Sequence, residues 1–294
     1  MLLVFCFIVN NFYSYSGNVI VKHSDKLLDI SGDVKSVLEK EIIVKGERFD
    51  PIWRNVISET LYNIVSKDTA LIQYTEVQGI TSVYNYSGYR LNEIVSHYTK
   101  KKDAAGKTTF HYNRNGEVAY ELSYDRNGNF QDSIVIEQNK KENWIIRRYF
   151  NRMGNNFKNE EIWFNSKGKE TKNIQHIGDN ITRFVKLYDK LETNITEERW
   201  YLEKRLVQLI YYEYDSLGYL VKKIECDEKD KVLSTSEYTY DRISGLVTSI
   251  KTGNNIISYE YNFDGNDNWI IKYEFYNDYP SKVIQREITY FDSD

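Results

Sequence analysis

A five-residue pattern recurs along most of this chain: an aromatic residue, then Asn or Asp, two variable residues and Gly. The pattern is complete at Tyr84–Gly88, Tyr112–Gly116, Tyr124–Gly128, Phe150–Gly154, Phe164–Gly168, Tyr214–Gly218 and Tyr261–Gly265. Looser copies begin at Tyr188, Tyr240 and Tyr276. An Asn or Asp side chain can bond to the backbone two residues on, and Gly supplies the positive φ that closes such a turn. The pattern therefore predicts a tight turn at each copy.

The residues before the turns predict β-strands. Aromatic residues alternate there, as in Tyr212-x-Tyr214 and Tyr238-x-Tyr240, and alternation with period two marks a strand with one apolar face. The turns recur about every 25 residues or at half that distance, which predicts strand–turn–strand units and roughly sixteen to eighteen strands in residues 76–294. The near-copies Asn143–Arg147 and Asn268–Lys272 lie 125 residues apart, in phase with this period.

These units predict an all-β fold of tandem antiparallel β-hairpins with a period of about 25 residues. Strand twist curls a sheet of this width, so we expect a curved, twisted extended sheet or an open shell. Its end units should be irregular, because they would cover exposed strand edges. Residues 28–45 predict a first hairpin. Residues 51–66 fit either one short helix, since Asp50-Pro51 is typical of a helix start, or a degenerate hairpin around Tyr62-Asn63.

The N-terminus predicts export. Leu2–Val9 is an apolar run too short to span a bilayer as a helix, and Ser14–Ser16 has the small-x-small pattern of a cleavage site. A buried first strand and a lipid anchor at Cys6 are the alternatives. We assign residues 1–16 to a signal peptide, 17–75 to a capping segment and 76–294 to the repeat domain. The predicted location is the periplasm, the outer-membrane surface or the extracellular space, with no integral membrane span in the mature chain.

From Tyr84 to Tyr290 the units resemble the YD repeat of Rhs and teneurin-type proteins, and most resemble small exported bacterial proteins of that type with no known function. The resemblance implies strands that spiral into a hollow shell, which in large members can enclose a toxin domain. This chain is shorter than a complete shell. It also lacks the Asp-Pro-rich segment that performs self-cleavage, since Pro occurs only at positions 51 and 280.

The remaining residues indicate no catalytic, metal or cofactor site. The net charge is −4 and acids and bases are interleaved, which disfavours nucleic acid as a partner. The histidines lie too far apart in sequence for a zinc site; they are His23, His97, His111 and His176. Most Asp residues fall in the turn position, and no nucleophile elbow or phosphate-binding loop is present. We therefore predict a protein that is not an enzyme and that needs no cofactor.

The leading hypothesis is an exported binding or structural module that meets an unidentified protein or glycan through its sheet surface. Trp144 and Trp269 are the candidate ligand-stacking residues, with a structural role for both as the alternative. A second hypothesis is an accessory or orphan shell fragment of an Rhs-like toxin system. A third is an enzyme that acts on cell-surface glycans through paired carboxylates.

Overall fold

The computed structural model describes residues 34–47, 50–66, 69–77, 79–101 and 103–291, which form twenty β-strands and no helix. The strands are β1 Val34–Glu47, β2 Asp50–Ser66, β3 Thr69–Val77, β4 Ile80–Ser87, β5 Arg90–Tyr98, β6 Ala104–Tyr112, β7 Val118–Asp125, β8 Phe130–Asn139, β9 Trp144–Asn151, β10 Asn156–Phe164, β11 Glu170–Ile177, β12 Asn180–Tyr188, β13 Ile195–Leu202, β14 Arg205–Tyr214, β15 Leu220–Cys226, β16 Val232–Tyr240, β17 Val247–Thr252, β18 Asn255–Phe263, β19 Trp269–Tyr276 and β20 Tyr279–Tyr290. Seventeen of these described strands, β4 to β20, lie in residues 76–294, which confirms the predicted number.

The sheet is closed. Every strand pairs antiparallel with the next one along the chain, and β20 pairs back onto β1 from Val34↔Tyr290 to Ile43↔Lys282. The expectation of an open sheet or shell with irregular end units is therefore wrong. Closure satisfies the N–H and C=O groups that an open edge would expose to solvent, and the result is an up-and-down barrel.

The predicted short helix at residues 51–66 is also wrong. Asp50–Ser66 is the long strand β2, which pairs with β1 on one side and β3 on the other. Hydrogen bonds to two neighbouring strands outweigh the helical spacing of its apolar residues, because propensity is weak beside tertiary context. Of the hairpin predicted at residues 28–45, residues 34–45 lie in the strand β1. Residues 28–33 of that hairpin and the signal peptide predicted at residues 1–16 lie outside the described residues.

The pattern residues close the turns as predicted. Asp215 Oδ1 accepts hydrogen bonds from the N–H groups of Leu217 at 2.9 Å and Tyr219 at 3.0 Å, and Gly218 has φ +86°. The same side-chain bonds recur at Asn113, Asp125, Asn151 and Asn165.

Two copies of the pattern are offset from their predicted positions. Tyr84-Asn85 lies inside β4, and the turn follows at Gly88. The turn expected from Tyr261 to Gly265 is instead built on Asp264, which accepts from the N–H groups of Asn266 and Asn268. Asp267, with φ +60°, takes the left-handed position there.

The turns divide between the two ends of the barrel. Loops from an even-numbered to an odd-numbered strand meet at one end, which we call the motif rim; the other loops meet at the second rim. Most pattern turns lie at the motif rim and begin at Asn113, Asn165, Asp189, Asp215, Asp241 and Asp264. Because a full period of about 25 residues contains two strands, it returns the chain to the same rim.

Tyrosine hydroxyls link successive strands at the motif rim. The tyrosine that precedes the turn donates to a backbone carbonyl near the start of the preceding strand, at 2.8–3.0 Å; the pairs are Tyr112–Leu91, Tyr188–Glu170, Tyr214–Ile195, Tyr240–Leu220 and Tyr261–Val247. This repeated bond gives a physical reason for tyrosine at these positions.

Removing one of these hydroxyls should destabilise the barrel modestly. We expect Tyr214→Phe to lower the free energy of unfolding by about 1 kcal/mol, because the carbonyl of Ile195 loses a partly buried partner. Urea unfolding followed by tryptophan fluorescence measures the change. Tyr211→Phe is the control, because that hydroxyl bonds to Asp230 at an exposed site. Equal effects for the two variants would contradict a structural role for the Tyr214 bond.

The pairing register separates an inward from an outward face. Directly paired residues share a face. When the pairs are traced from strand to strand around the sheet, Phe110–Glu121, Arg147–Glu160 and Glu39–Arg286 all lie on one face. Burial raises the pKa of groups on this face, among them Tyr62, Glu121, Tyr149 and Tyr212. This face therefore lines the lumen. A smaller buried set lies on the outward face: Ile42, Leu209, Cys226, Phe275 and Val283.

Candidate binding site in the lumen

A buried polar cluster lines the lumen across β9 to β11, and we call it the Glu160 cluster. Glu160 Oε2 accepts from Arg147 Nη1 and from the Tyr149 hydroxyl, both at 3.1 Å. Its Oε1 accepts from Asn173 Nδ2 and Gln175 Nε2, both at 3.2 Å. The four donors satisfy a carboxylate that is only 6% exposed. The cluster thus meets the requirement that a buried charge be paired and hydrogen-bonded.

Strand geometry brings these side chains together. Arg147 and Tyr149 are two residues apart on β9 and so share a face. Glu160 lies opposite Arg147 on β10, and Gln175 lies opposite Glu160 on β11. The neighbouring inward pair is Ile145–Ile162, and both of these residues are buried. An apolar rung beside the cluster limits the access of water to the ion pair.

Both members of the ion pair are held in their charged forms. Burial by itself would raise the pKa of Glu160, but the Arg147 and Lys158 charges and the donated hydrogen bonds bring it below the ordinary value. Burial would lower the pKa of Arg147, and the Glu160 carboxylate raises it above the ordinary value instead. The pair is therefore a fixed dipole on the lumen wall.

A second luminal carboxylate behaves differently. Burial raises the pKa of Glu121, on β7, to about 6, with the Arg147 charge acting in the opposite direction and Asp132 adding to the rise. Glu121 is 8% exposed. The wall therefore holds one carboxylate that stays ionised and one that takes up a proton in weakly acidic solution.

The raised pKa of Glu121 predicts a pH-dependent stability. The ordinary pKa of 4.5 applies to the unfolded chain and a pKa of about 6 to the folded one, so stability is lost as the pH rises through this interval. We expect Glu121→Gln to raise the free energy of unfolding at pH 7.5 by about 2 kcal/mol, and to leave it unchanged near pH 4, where Glu121 is protonated in both states. Urea unfolding at the two pH values measures this; an equal effect at both would contradict the assignment.

An aromatic surface adjoins the Glu160 cluster. Phe184 on β12 lies opposite Asn173, and Trp200 on β13 lies opposite Phe184. The two rings stack with their centroids 5.5 Å apart. Among the residues that the structure describes, the buried Asn173 Oδ1 and Trp200 Nε1 have no hydrogen-bond partner. The wall thus combines a free acceptor, a free donor and stacked rings.

A different set of charges lines the strands where the sheet closes. Arg286 Nε bonds Glu39 Oε2 at 3.1 Å, and its guanidinium lies 3.4 Å from the centroid of the Trp269 ring. Lys282 Nζ lies 2.7 Å from Glu41 Oε1. These ion pairs join β20 to β1, so they stabilise the closure of the barrel.

The structure does not bring Trp144 and Trp269 together. Trp144 begins β9 on the outward face, and its Nε1 donates to Glu142 at 2.8 Å. Trp269 begins β19, ten strands away, and is buried beneath Arg286. Phe184–Trp200 is an aromatic pair that faces the lumen beside polar groups, and the sequence reasoning missed it. One sequence signal could have indicated the Glu160 cluster. In Arg147-x-Tyr149 and Glu160-x-Ile162, a charged residue takes the same alternating position as an aromatic or apolar residue, so it lies on the same face of the strand.

Within the described part of the chain, no three His, Cys, Asp or Glu side chains are grouped so that they could hold a metal ion. The described residues include no helix long and apolar enough to cross a membrane.

No protein-family model matches the chain, and no curated protein is significantly similar to it in sequence. Among solved structures, the chain is similar to a porin-like protein from Bacteroides uniformis, with 12% identity and a TM-score of 0.42 over 88% of this chain and 98% of that one. A porin-like protein from Bacteroides vulgatus matches with 11% identity and a TM-score of 0.29 over 90% of this chain and 100% of that one.

The TcdB2-TccC3 structure matches with 13% identity and a TM-score of 0.32 over 75% of this chain, which spans only 16% of that one. Similarity at these TM-scores carries no argument about function. The hairpin repeats are observed, whereas membership of the YD-repeat family remains a resemblance.

Proposed function

We propose that this protein is an exported, non-enzymatic binding barrel, and that a carbohydrate binds to its lumen wall beside the Glu160 cluster. The observation that carries the proposal is the pair of buried, unpartnered atoms Asn173 Oδ1 and Trp200 Nε1 on the inward face. A ligand that carries several hydroxyls can donate to the first atom with one of them and accept from the second with another. A buried polar group without a partner costs free energy, so a ligand that satisfies both atoms stabilises the complex.

The surroundings of these atoms fit a sugar. Stacked rings offer an apolar face to the C–H side of a pyranose, and a few fixed polar groups set its orientation. Gln175 and Thr182 lie opposite each other on the same inward face. Trp200 also lies opposite Gln208 on β14. The wall therefore presents rings and neutral polar groups side by side.

The outward face supports a barrel that does not span a bilayer. A membrane barrel presents a continuous apolar band to lipid. Here the outward ion pairs include Arg148–Glu137 and Lys222–Glu213. Export remains a proposal based on the apolar run Leu2–Val9, and fractionation of the producing cells tests it.

Ligand binding tests the luminal site. The full chain is first offered a glycan array, and the best ligand is then titrated by calorimetry. We expect Trp200→Phe to weaken binding by about tenfold, because the ring stays while the N–H is lost. Trp163→Phe is the matched control on the outward face, where Trp163 lies beneath Lys172. An array without any binding, or equal affinity of Trp200→Phe and the native chain, would refute the proposal.

A glycan-cleaving enzyme is the second candidate, and one observation favours it. The lumen holds two carboxylates whose environments move their pKa values in opposite directions, Glu121 upward and Glu160 downward. Glycoside hydrolysis likewise uses two carboxyl groups whose environments hold them in different protonation states. Release of reducing sugar by the native chain, and its loss in both Glu121→Gln and Glu160→Gln, would favour hydrolysis over binding alone.

The closed sheet argues against an orphan shell fragment. A piece cut from a spiral shell would present free first and last strands, whereas β1 and β20 pair with each other over most of their lengths. The described strands therefore form a closed sheet.

A further inference from the structure

Three apolar side chains project from neighbouring turns of the motif rim. Leu191, Leu217 and Ile243 occupy the same turn position, two residues after Asp189, Asp215 and Asp241 respectively. They are 73%, 71% and 97% exposed. The turns lie between β12 and β13, β14 and β15, and β16 and β17, so they are consecutive on this rim. Strand spacing places adjacent tips roughly 10 Å apart.

Contacts between the turns hold these tips in a row. Arg242 Nη1 bonds Asp215 Oδ2 at 2.9 Å across two turns. The Tyr219 and Tyr240 rings lie 4.9 Å apart at the bases of the same turns. On the other side of the row, Glu192 accepts from the Ser166 hydroxyl at 2.6 Å. These contacts hold the Leu217 and Ile243 turns beside each other and tie the Leu191 turn to the turn at Asn165.

The basic and the acidic side chains beside the tips have different surroundings. Lys190 and Arg242 directly precede two of the three tips and are exposed. The carboxylates of Asp189 and Asp241 turn back to accept hydrogen bonds from their own turns, from Thr193 and Ser244. Turn hydrogen bonds lower the pKa of both carboxyl groups. Lys190 therefore lies exposed beside the tips, Arg242 is paired with Asp215, and the carboxylates of Asp189 and Asp241 accept hydrogen bonds within their own turns.

We propose that Leu191, Leu217 and Ile243 dock the motif rim onto the surface of a lipid bilayer. Three separate tips provide far less than the roughly 800 Å² per partner of a stable protein interface. A bilayer can surround each tip individually, bury its apolar surface and place anionic head groups against the exposed Lys190. This surface lies outside the lumen, so the inference does not depend on the proposed ligand site.

Vesicle cosedimentation with the full chain tests the docking. The chain should bind phosphatidylcholine vesicles, and bind more tightly when phosphatidylglycerol is added. The triple variant Leu191→Ser, Leu217→Ser, Ile243→Ser should lose about tenfold in partitioning for each tip. Met153→Ser is the matched control, because Met153 is 73% exposed at the same turn position on the second rim.

A second readout separates insertion from loose adsorption. A tryptophan placed at the tip by Leu217→Trp should shift its emission to the blue on binding vesicles, since the ring enters an apolar medium. No binding by the native chain would overturn the proposal. Undiminished binding by the triple variant, or loss of binding by Met153→Ser of the same size, would overturn it as well.

Discussion

Cysteines that replace Lys40 and Gln285 are expected to form a disulfide rapidly and almost completely under mild oxidation. The two positions pair directly on the outward face where β20 meets β1. Directly opposed residues have Cβ atoms about 4.5–5.5 Å apart, close to the separation that a disulfide needs. Because the bond would close a loop of roughly 250 residues, it should raise the free energy of unfolding by about 5 kcal/mol.

The experiment uses a background in which Cys6 and Cys226 are changed to Ser. Non-reducing electrophoresis follows the cross-link, and urea unfolding with and without reductant measures the stability. The control pairs Lys40→Cys with Lys107→Cys on β6, five strand spacings or about 24 Å away along the sheet. Cross-linking between chains, with none inside the chain, would show that the sheet is open.

Replacing Arg147 with alanine is expected to lower the free energy of unfolding by about 3–5 kcal/mol. The change leaves the Glu160 carboxylate buried without its cation, and removing one partner of a buried ion pair is far more costly than exchanging both for apolar groups. Equilibrium urea unfolding measures the loss. The expected loss should shrink as the pH falls, because burial without the Arg147 charge raises the pKa of Glu160 in the variant, so its carboxyl group takes up a proton.

The next residue along the chain provides the control. Arg148 points outward and pairs with Glu137, and both side chains are more than a third exposed. We expect Arg148→Ala to cost at most about 1 kcal/mol. Arg147→Met combined with Glu160→Leu should recover most of the lost stability, because no unpaired charge remains. Equal losses for Arg147→Ala and Arg148→Ala would show that the lumen is as well hydrated as the outer surface.

The barrel has a charged lumen and two rims that differ from each other. This difference between its two ends bears on its proposed role. The apolar tips project at the motif rim, while the Glu160 cluster lies within the wall of the lumen. A barrel that stands on a bilayer by one rim would keep the second rim open to solvent and to glycans. Binding in the lumen and docking by the tips are measured separately, so each can fail without the other.

The turns were predictable because their chemistry is local. Asp215 and Gly218 act through bonds and torsions within five residues. The offset at Tyr261 arose because two overlapping candidates, Tyr261-Asn262 and Phe263-Asp264, both place an aromatic residue before an Asx residue. Only the hydrogen bonds to Asp264 distinguish them. The strand at Asp50–Ser66 was ambiguous for a similar reason, since its neighbours β1 and β3 decide its conformation.

The sequence by itself determined the hairpins, their period and their antiparallel order, because turn geometry and side-chain alternation depend on nearby residues. Only the tertiary structure decided that β20 meets β1 and which face points inward. Alternation marks two faces, but both faces of this sheet mix charged with apolar side chains, so neither could be identified as the interior. Closure assigns one face to the lumen, and that assignment brings Arg147, Glu160 and Trp200 together on its wall.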